Sequence, residues 1–232
     1  HGPETIYVGH PLMERLGELR PDEREQQARD RSERPQVLVL PGSRRSEIHH
    51  LMPVFGEAVA RAAAARPEAR FILPAVERLQ PIIAEAAARW PVAPELVVGE
   101  AGKLAAFRSA RGALAASGTV TLELALSGVP TVAAYRGASW EAALARRLVK
   151  LPSVILPNLI LGRNIVPEFI QEQATADALS RHMLEILAQG PARQAQCDGF
   201  AEVETIMRSA GPSPAVNAVE AALALLPAGE RP

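Results

Sequence analysis

The chain has 232 residues, 48% of them hydrophobic, which is enough to bury the core of one large domain or of one domain with a helical extension. Its 25 basic and 26 acidic side chains nearly cancel, so it lacks the broad positive field of a nucleic-acid-binding protein. No run approaches the roughly 20 apolar residues of a membrane span. The single cysteine, Cys197, excludes an internal disulfide and a multi-thiolate metal site.

The N-terminal region predicts a strand followed by a polar connector. Residues 5–11 form an extended segment, and because the chain begins at His1 rather than Met inside that segment, we expect a fragment with material missing upstream. Residues 13–35 are rich in charged and amide side chains and hold few apolar residues after Leu19, which indicates an exposed helix or a mobile connector. We therefore interpret residues 1–35 as a strand and exposed linker that follow a missing N-terminal domain.

From Gln36 onward the pattern predicts a parallel sheet. Short aliphatic runs bounded by Pro or Gly alternate with segments whose apolar residues recur at helical spacing. Such alternation is typical of a doubly wound, Rossmann-like α/β fold with helices on both faces, here over residues 36–170. The expected strands are 37–40, 71–73, 96–98, 113–116 and 131–135.

The C-terminal region predicts helices alone. After Pro167 the strand signals stop, and we expect a first helix that begins at Glu168 and runs through Gln173 towards Gln189. Two more are expected at 192–209 and 214–226. Residues 171–232 are therefore interpreted as a helical tail.

The loop after the first core strand has the composition of an anion site. Ligands of a doubly wound sheet bind beyond the carboxyl ends of its strands. Gly42 allows a tight turn, Ser43 or Ser46 can cap the following helix, and Arg44 offers a fork of donors suited to a pyrophosphate. An ordinary strand-to-helix turn with a capping serine explains this loop equally well.

The loop after the fourth core strand carries a second candidate site. Ser117, Gly118 and Thr119 are small, so their backbone N–H groups can face phosphate oxygens at a helix start. Glu123, one turn later, can accept hydrogen bonds from ribose hydroxyls. Together the two loops outline one pyrophosphate-and-ribose site at one sheet edge.

Two further clusters allow two interpretations each. Asn158, Arg163 and Gln171, among apolar neighbours, indicate either a polar rim on a pocket or helix capping and surface charge. Residues 140–150 combine an apolar stripe with three basic side chains, as in a helix on anionic lipid or a core helix with a basic outer face. His49 and His50 lack a third ligand at metal spacing, and we expect neither a metal nor a cofactor.

The ordered set of these motifs resembles the lipid-A-disaccharide synthase family. Any one motif is shared with other two-domain glycosyltransferases, but their combination in this order is specific. The resemblance extends from about residue 6 to residue 172 and is weaker in the helical tail. The matching segments are 7–12, 40–44, 116–123, 135–136, 147–150 and 156–163.

The resemblance implies the C-terminal, donor-binding half of a GT-B glycosyltransferase. The implied reaction belongs to lipid A biosynthesis: 2,3-diacylglucosamine passes from its UDP derivative to 2,3-diacylglucosamine 1-phosphate, a lipid X type acceptor, with release of UDP. The family is metal-independent and inverts the anomeric carbon. It also implies a cytoplasmic protein, with peripheral contact to the inner face of the inner membrane and a homodimer through the C-terminal helices as further features.

The resemblance also assigns roles to the candidate residues. Arg44, with Gly42 and Ser43, would hold donor phosphate, and Glu123 would bind ribose. The turn from Ser117 through Gly118 to Thr119 would bind phosphate through its backbone. Asn158, Arg163 and Gln171 would complete the donor pocket. The family's general base belongs to the N-terminal domain, so the catalytic residues are not expected here, and the chain alone should bind donor far better than it turns it over.

Two other functions are compatible with the same fold. One is another UDP-N-acetylglucosamine enzyme of GT-B type, such as the peptidoglycan N-acetylglucosaminyltransferase or a non-hydrolysing epimerase. The other is a UDP-sugar-binding module without catalysis. The Pro-Gly-Ser-Arg loop, together with the Pro-Asn-Leu-Ile-Leu-Gly-Arg segment at 157–163, favours the synthase over other GT-B enzymes.

Overall fold

A computed structural model of the protein describes residues 5–137 and 153–225. Its strands are Gln36–Leu40 (β1), Arg70–Ala75 (β2), Glu95–Val98 (β3), Ala110–Ala116 (β4), Thr131–Tyr135 (β5) and Glu168–Ile170 (β6). They form one sheet with the order β3-β2-β1-β4-β5-β6, and every neighbouring pair is parallel. The order reverses between β1 and β4, so the predicted Rossmann-like sheet is confirmed.

Helices cover both faces of this sheet. The helices described are Leu16–Leu19 (α1), Glu23–Arg31 (α2), Arg45–Ala65 (α3), Gln80–Ala87 (α4), Glu100–Ser109 (α5), Val120–Leu126 (α6), Leu156–Leu161 (α7), Ala176–Leu187 (α8), Pro191–Met207 (α9) and Pro214–Ala224 (α10). Short 3-10 turns occupy Pro11–Met13, Glu77–Leu79 and Gln171–Gln173.

Strand β1 shows how one run of apolar residues serves both faces. Successive strand side chains point to opposite sides of a sheet. Val37 and Val39 join a core cluster with α3, α4 and α8, whereas Leu38 and Leu40 join a second cluster with α5, α6 and α9. All four side chains are buried, which explains the unbroken apolar sequence of this central strand.

Strand β6 occupies a position where the sequence predicted a helix. The expectation of a helix from Glu168 is wrong: residues 168–170 pair with β5, and the helix α8 begins only at Ala176. Thr175 marks that start, because its side chain accepts a hydrogen bond from Ala178 N at 3.2 Å. A three-residue, half-buried edge strand is too short to show a period-2 pattern.

The N-terminal region is helical and anchored rather than a free connector. Residues 5–10 lie outside the sheet and contain neither helix nor strand, so the expected N-terminal strand is not formed. Tyr7 Oη instead donates to Met207 O at 3.0 Å. Helix α2 begins with a capping box between Asp22 and Glu25. Most of its surface is exposed, but Arg29 is buried.

The C-terminal helices differ in how far they join the core. Leu179, Met183 and Leu187 of α8 belong to the same cluster as β1 and α3. The sheet thus ends at residue 170, but the hydrophobic core includes side chains from the helix that follows it. Helix α10, in contrast, has no buried residue. The division of the chain into domains at residues 35 and 170 stays a prediction.

The membrane-related prediction for residues 140–150 falls outside the described residues. Within 5–137 and 153–225, no helix has the length and apolar character required to cross a bilayer.

Candidate functional site

A cavity of about 520 Å³ lies beyond the carboxyl ends of β1 to β4. Its position is the one expected for a ligand of a doubly wound sheet, where the strand order reverses. It is lined by the loops after β1 and β4, the end of β2, and the first turn of α5. Its lining includes Gly42, Ser43, Arg44, Glu47, Lys103, Ser117, Gly118, Thr119 and Glu123.

The loop after β1 is organised by a carboxylate. Glu47 Oε2 accepts from Ser43 N at 2.9 Å and from Arg44 N at 3.2 Å, while Oε1 accepts from Arg44 Nη1 at 2.8 Å. Gly42 has φ +111, and a Cβ atom there would collide with the Glu47 carboxylate. The expected serine cap is absent, because Arg44 occupies the N-cap position of α3. The side chain of Glu47 accepts the N–H groups of the two residues just before the helix, Ser43 and Arg44.

The loop after β4 presents a hydroxyl rather than the first of the expected N–H groups. Ser117 N donates to Ala134 O at 2.8 Å, so this amide belongs to the sheet. Ser117 Oγ, in contrast, is buried and has no hydrogen-bond partner in the described part of the chain. Gly118 and Thr119 are exposed, and Thr121 Oγ1 donates to Gly118 O at 2.8 Å. The turn is therefore fixed to the sheet and to α6 by these hydrogen bonds, while its exposed residues line the cavity.

Glu123 forms an ion pair with a residue that the sequence analysis missed. Lys103 Nζ donates to Glu123 Oε2 at 2.8 Å, and both side chains line the cavity and are largely buried. Lys103 also lies over the Phe107 ring, 5.3 Å from its centroid. The signal that could have found it is the third strand-to-helix connection, Gly99 to Lys103, which follows β3 at the same sheet edge.

The described lining holds two cationic side chains, Arg44 and Lys103, and four carboxylates, Glu47, Glu77, Glu100 and Glu123. Arg15 Nη2 donates to Glu100 Oε1 at 2.7 Å and lowers the pKa of that carboxyl below its ordinary value. An anion in this cavity must therefore rely on directed hydrogen bonds rather than on a surplus of positive charge. Among residues 5–137 and 153–225, no cluster of three or more His, Cys, Asp or Glu side chains could hold a metal ion.

Asn158 and Arg163 lie away from the cavity. Asn158 is 2% exposed, and its amide holds the following loop: Nδ2 donates to Val166 O at 3.0 Å, and Oδ1 accepts from Ile165 N at 2.9 Å and Val166 N at 3.0 Å. Arg163 is exposed and makes a two-pronged ion pair with Glu202 of α9. In this structure Asn158 supports a loop and Arg163 forms a surface ion pair, and the donor-pocket role of both residues stays a prediction.

Gln171 lies at the same sheet edge, beyond the end of β6, but it does not line the cavity. Among the described residues it is the non-glycine residue with positive φ, at 55°. Its Oε1 accepts from Gly137 N at 3.5 Å, and its buried Nε2 has no hydrogen-bond partner in the described part of the chain. A strained backbone and an unpaired amide are common at ligand sites, so the predicted role of Gln171 stays open to test.

Comparison with known proteins shows the family. The family model for lipid-A-disaccharide synthetase matches residues 2–219. A lipid-A-disaccharide synthase from Bradyrhizobium diazoefficiens is 48% identical over 230 residues, which are 99% of this chain and 58% of that protein. One from Rhodopseudomonas palustris strain BisB18 is 50% identical over 227 residues, 98% of this chain and 57% of that protein. The chain thus spans somewhat more than half the length of these relatives.

Solved structures support the fold. A MurG from Acinetobacter baumannii superposes with a TM-score of 0.54 at 14% identity, over 88% of this chain and 53% of that one. The C-terminal domain of a glycosyl transferase group 1 family protein (LpcC) from Francisella tularensis gives 0.53 at 11% identity, over 82% and 95%. At these identities the likeness shows a shared GT-B type fold alone. On the family model and the close relatives, the chain belongs to the lipid-A-disaccharide synthetase family.

Proposed function

We propose that this chain binds UDP-2,3-diacylglucosamine and is the donor-binding half of a lipid-A-disaccharide synthase. That hexosyltransferase transfers 2,3-diacylglucosamine to 2,3-diacylglucosamine 1-phosphate and releases UDP. The observation that carries the proposal is the shared cavity: Gly42, Ser43 and Arg44 from one loop meet the 117–119 turn and Glu123 from another. Membership of the family supports a UDP-sugar donor and a lipid acceptor.

The geometry supports a specific arrangement of the donor. The exposed side of the Arg44 guanidinium and the unpaired Ser117 hydroxyl would bind the pyrophosphate. Lys103 engages only one oxygen of Glu123, which leaves the other as an acceptor for a ribose hydroxyl. These groups would stabilise the departing UDP, and that is one part of catalysis. We assign the general base to the portion of the relatives that this chain does not match, so this chain alone should bind without turnover.

The cellular setting is proposed on the family resemblance. We place the protein in the cytoplasm, at the inner face of the inner membrane, where a lipid acceptor is available. A homodimer through the C-terminal helices is supported by the apolar surface of α10, whose Val219 is 59% exposed, and by Leu225 just beyond it, 81% exposed. Sedimentation of the purified chain over a range of concentrations tests the dimer, and a monomer at all concentrations would contradict it.

The first experiment is calorimetric titration of the chain with UDP, with UMP and ADP as controls. We expect UDP to bind more tightly than UMP, because the second phosphate would reach Arg44, and more tightly than ADP, because a UDP-sugar donor site must distinguish uracil from adenine. Absence of UDP binding, or equal binding of UDP and ADP, would overturn the proposed donor site.

The adjacent arginines Arg44 and Arg45 provide a matched test of the phosphate contact. Arg44 lines the cavity, whereas Arg45 lines a separate groove between α3 and α4. We expect Arg44→Ala to weaken UDP binding by about 1–3 kcal/mol, since it removes a charge-assisted contact. Arg45→Ala removes the same charge one residue away and should leave the affinity nearly unchanged. An equal loss in both variants would mean that Arg44 acts through general charge only.

A further inference from the structure

Glu47 is a largely buried carboxylate within the phosphate-binding loop. Only 9% of it is exposed, and its two oxygens together accept three hydrogen bonds from the loop residues Ser43 and Arg44. It lies in the first turn of α3, at a position where helix N–H groups need acceptors. A carboxylate so close to an anion site would either compete with the ligand or hold the site in shape.

The division of labour between its two oxygens favours the second role. Oε2 accepts hydrogen bonds from the backbone N–H groups of Ser43 and Arg44, and these bonds fix the position of the carboxylate. Oε1 receives one Arg44 nitrogen, Nη1. The guanidinium carries five N–H donors, and 79% of the Arg44 side chain, which lines the cavity, is exposed, so the donors that Glu47 does not take remain accessible.

Without this partner the exposed Arg44 side chain would sample many rotamers. Fixing a long arginine side chain costs conformational entropy, and an ion pair formed before the ligand arrives removes part of that cost from binding. The carboxylate also fills the space beside Gly42, where φ is positive and a Cβ atom would collide with it.

We propose that Glu47 is a positioning residue for the donor pyrophosphate: it clamps the Arg44 guanidinium at the cavity mouth before the nucleotide binds. This inference rests on the proposed function and adds to it a residue that does not itself touch the donor. Glu47 acts through Arg44, so its effect on binding must disappear when Arg44 is removed.

The test is a double-mutant cycle in UDP affinity. The four proteins are the wild-type chain, Glu47→Gln, Arg44→Ala and the double variant, each titrated with UDP. Glutamine keeps an oxygen for the backbone N–H groups but places an NH2 group opposite the guanidinium. We expect Glu47→Gln to weaken UDP binding about three- to fivefold in the wild-type background, the size of a surface ion pair, and to have no effect in the Arg44→Ala background.

The outcomes separate this inference from the proposed function. An equal loss in both backgrounds would show that Glu47 supports the fold rather than Arg44, and tighter binding by Glu47→Gln would show that it competes with phosphate; either result overturns the inference alone. Failure of the wild-type chain to bind UDP overturns the proposed function and the inference together. Amide exchange of Ser43 and Arg44 verifies the loop, with protection kept in Glu47→Gln and lost in Glu47→Ala. Glu57→Gln, exposed on the same helix, is the matched control.

Discussion

Whether a buried polar atom has a hydrogen-bond partner within the protein separates residues that bind a ligand from residues that stabilise the fold. A buried polar atom without a partner costs free energy, and native proteins keep few of them. Ser117 Oγ is such an atom, and it lines the cavity at the end of β4. Ser180 is the opposite case: its buried hydroxyl donates to Asp177 O at 3.0 Å inside α8, and Ser180 does not line the cavity. The two serines therefore make a natural pair for comparison.

We expect Ser117→Ala to leave the stability of the free chain unchanged or slightly raised, because it removes an unpaired buried hydroxyl. The same change should weaken UDP binding by about 0.5–1.5 kcal/mol, if the hydroxyl finds its partner in the ligand. Ser180→Ala should leave the affinity unchanged, because the hydroxyl that it removes does not line the cavity and already has its partner within α8. Thermal unfolding and calorimetric titration of both variants measure this, and a Ser117→Ala variant that binds UDP normally would remove the hydroxyl from the site.

At the level of elements, the sequence predicts best what is periodic and buried. The five strands with aliphatic runs were predicted correctly. Four of them, β1, β2, β4 and β5, are central parallel strands, which need apolar residues on both faces, whereas β3 lies at an edge and still has an aliphatic run at 96–98. The edge strand β6 was not, because three half-buried residues that pair on one side carry no pattern. The two glycine-containing loops were found for a similar reason: glycine at a strand end marks a turn that the fold must use.

The part of the site that the sequence could not predict depends on tertiary contacts. Lys103 meets Glu123 only because the connections after β3 and β4, which are not neighbouring strands, open at the same edge of the sheet, so the pairing is not visible in either local sequence. Asn158 has the polar character of a ligand residue, but its amide is used by a loop seven and eight residues further along the chain. The sequence shows that a side chain can hydrogen-bond, whereas the fold decides with which group.

Asn158 therefore provides a test of loop support against donor binding. Truncating it would leave one buried carbonyl and two N–H groups without partners, at a cost of about 1–3 kcal/mol each before relaxation. We expect Asn158→Ala to destabilise the chain by roughly 3 kcal/mol and to leave the UDP affinity of the folded protein unchanged. Asn164→Ala, exposed in the same loop, should have neither effect. Denaturant unfolding and UDP titration distinguish these results, and a selective loss of affinity in Asn158→Ala would restore the predicted pocket role.

On the scale of the whole molecule, the sheet has two chemically different edges. Helices antiparallel to the strands direct their N-termini to the cavity and their C-termini to the opposite edge. Three arginines, each less than 8% exposed, lie at that second edge and donate to carbonyl oxygens near helix ends. Burial lowers the pKa of Arg29 and Arg193. The bonds are Arg29 Nη1 to Ser127 O, Arg111 Nη1 to Asp30 O and Arg193 Nη1 to Ile186 O.

This arrangement ties the C-terminal helices to the sheet through polar as well as apolar contacts. Arg193 of α9 also donates to Arg111 O in β4 at 2.6 Å. Gln196, one turn later, accepts from Thr131 N at 2.7 Å and donates to Thr131 O at 3.0 Å, so it pairs with the start of β5 as a strand would. Helices α8 and α9 thus complete the sheet's packing, although their sequence indicates a separate tail.

The predicted boundary at residue 170 can be tested by truncation. A chain that ends at residue 170 lacks Leu179, Met183 and Leu187, which are fully or almost fully buried in the core with β1 and α3. Loss of one such side chain typically costs about 2–5 kcal/mol, so loss of all three costs about as much as the total stability of an ordinary domain. We expect this truncated chain to show no cooperative thermal transition by circular dichroism.

A second truncation serves as the control. Of the described elements, a chain that ends at residue 212 loses α10, whose described residues are not buried, and it should unfold cooperatively and still bind UDP. Cooperative unfolding of the chain that ends at residue 170 would show instead that residues 36–170 form a self-sufficient domain and that α8 and α9 are an appendage.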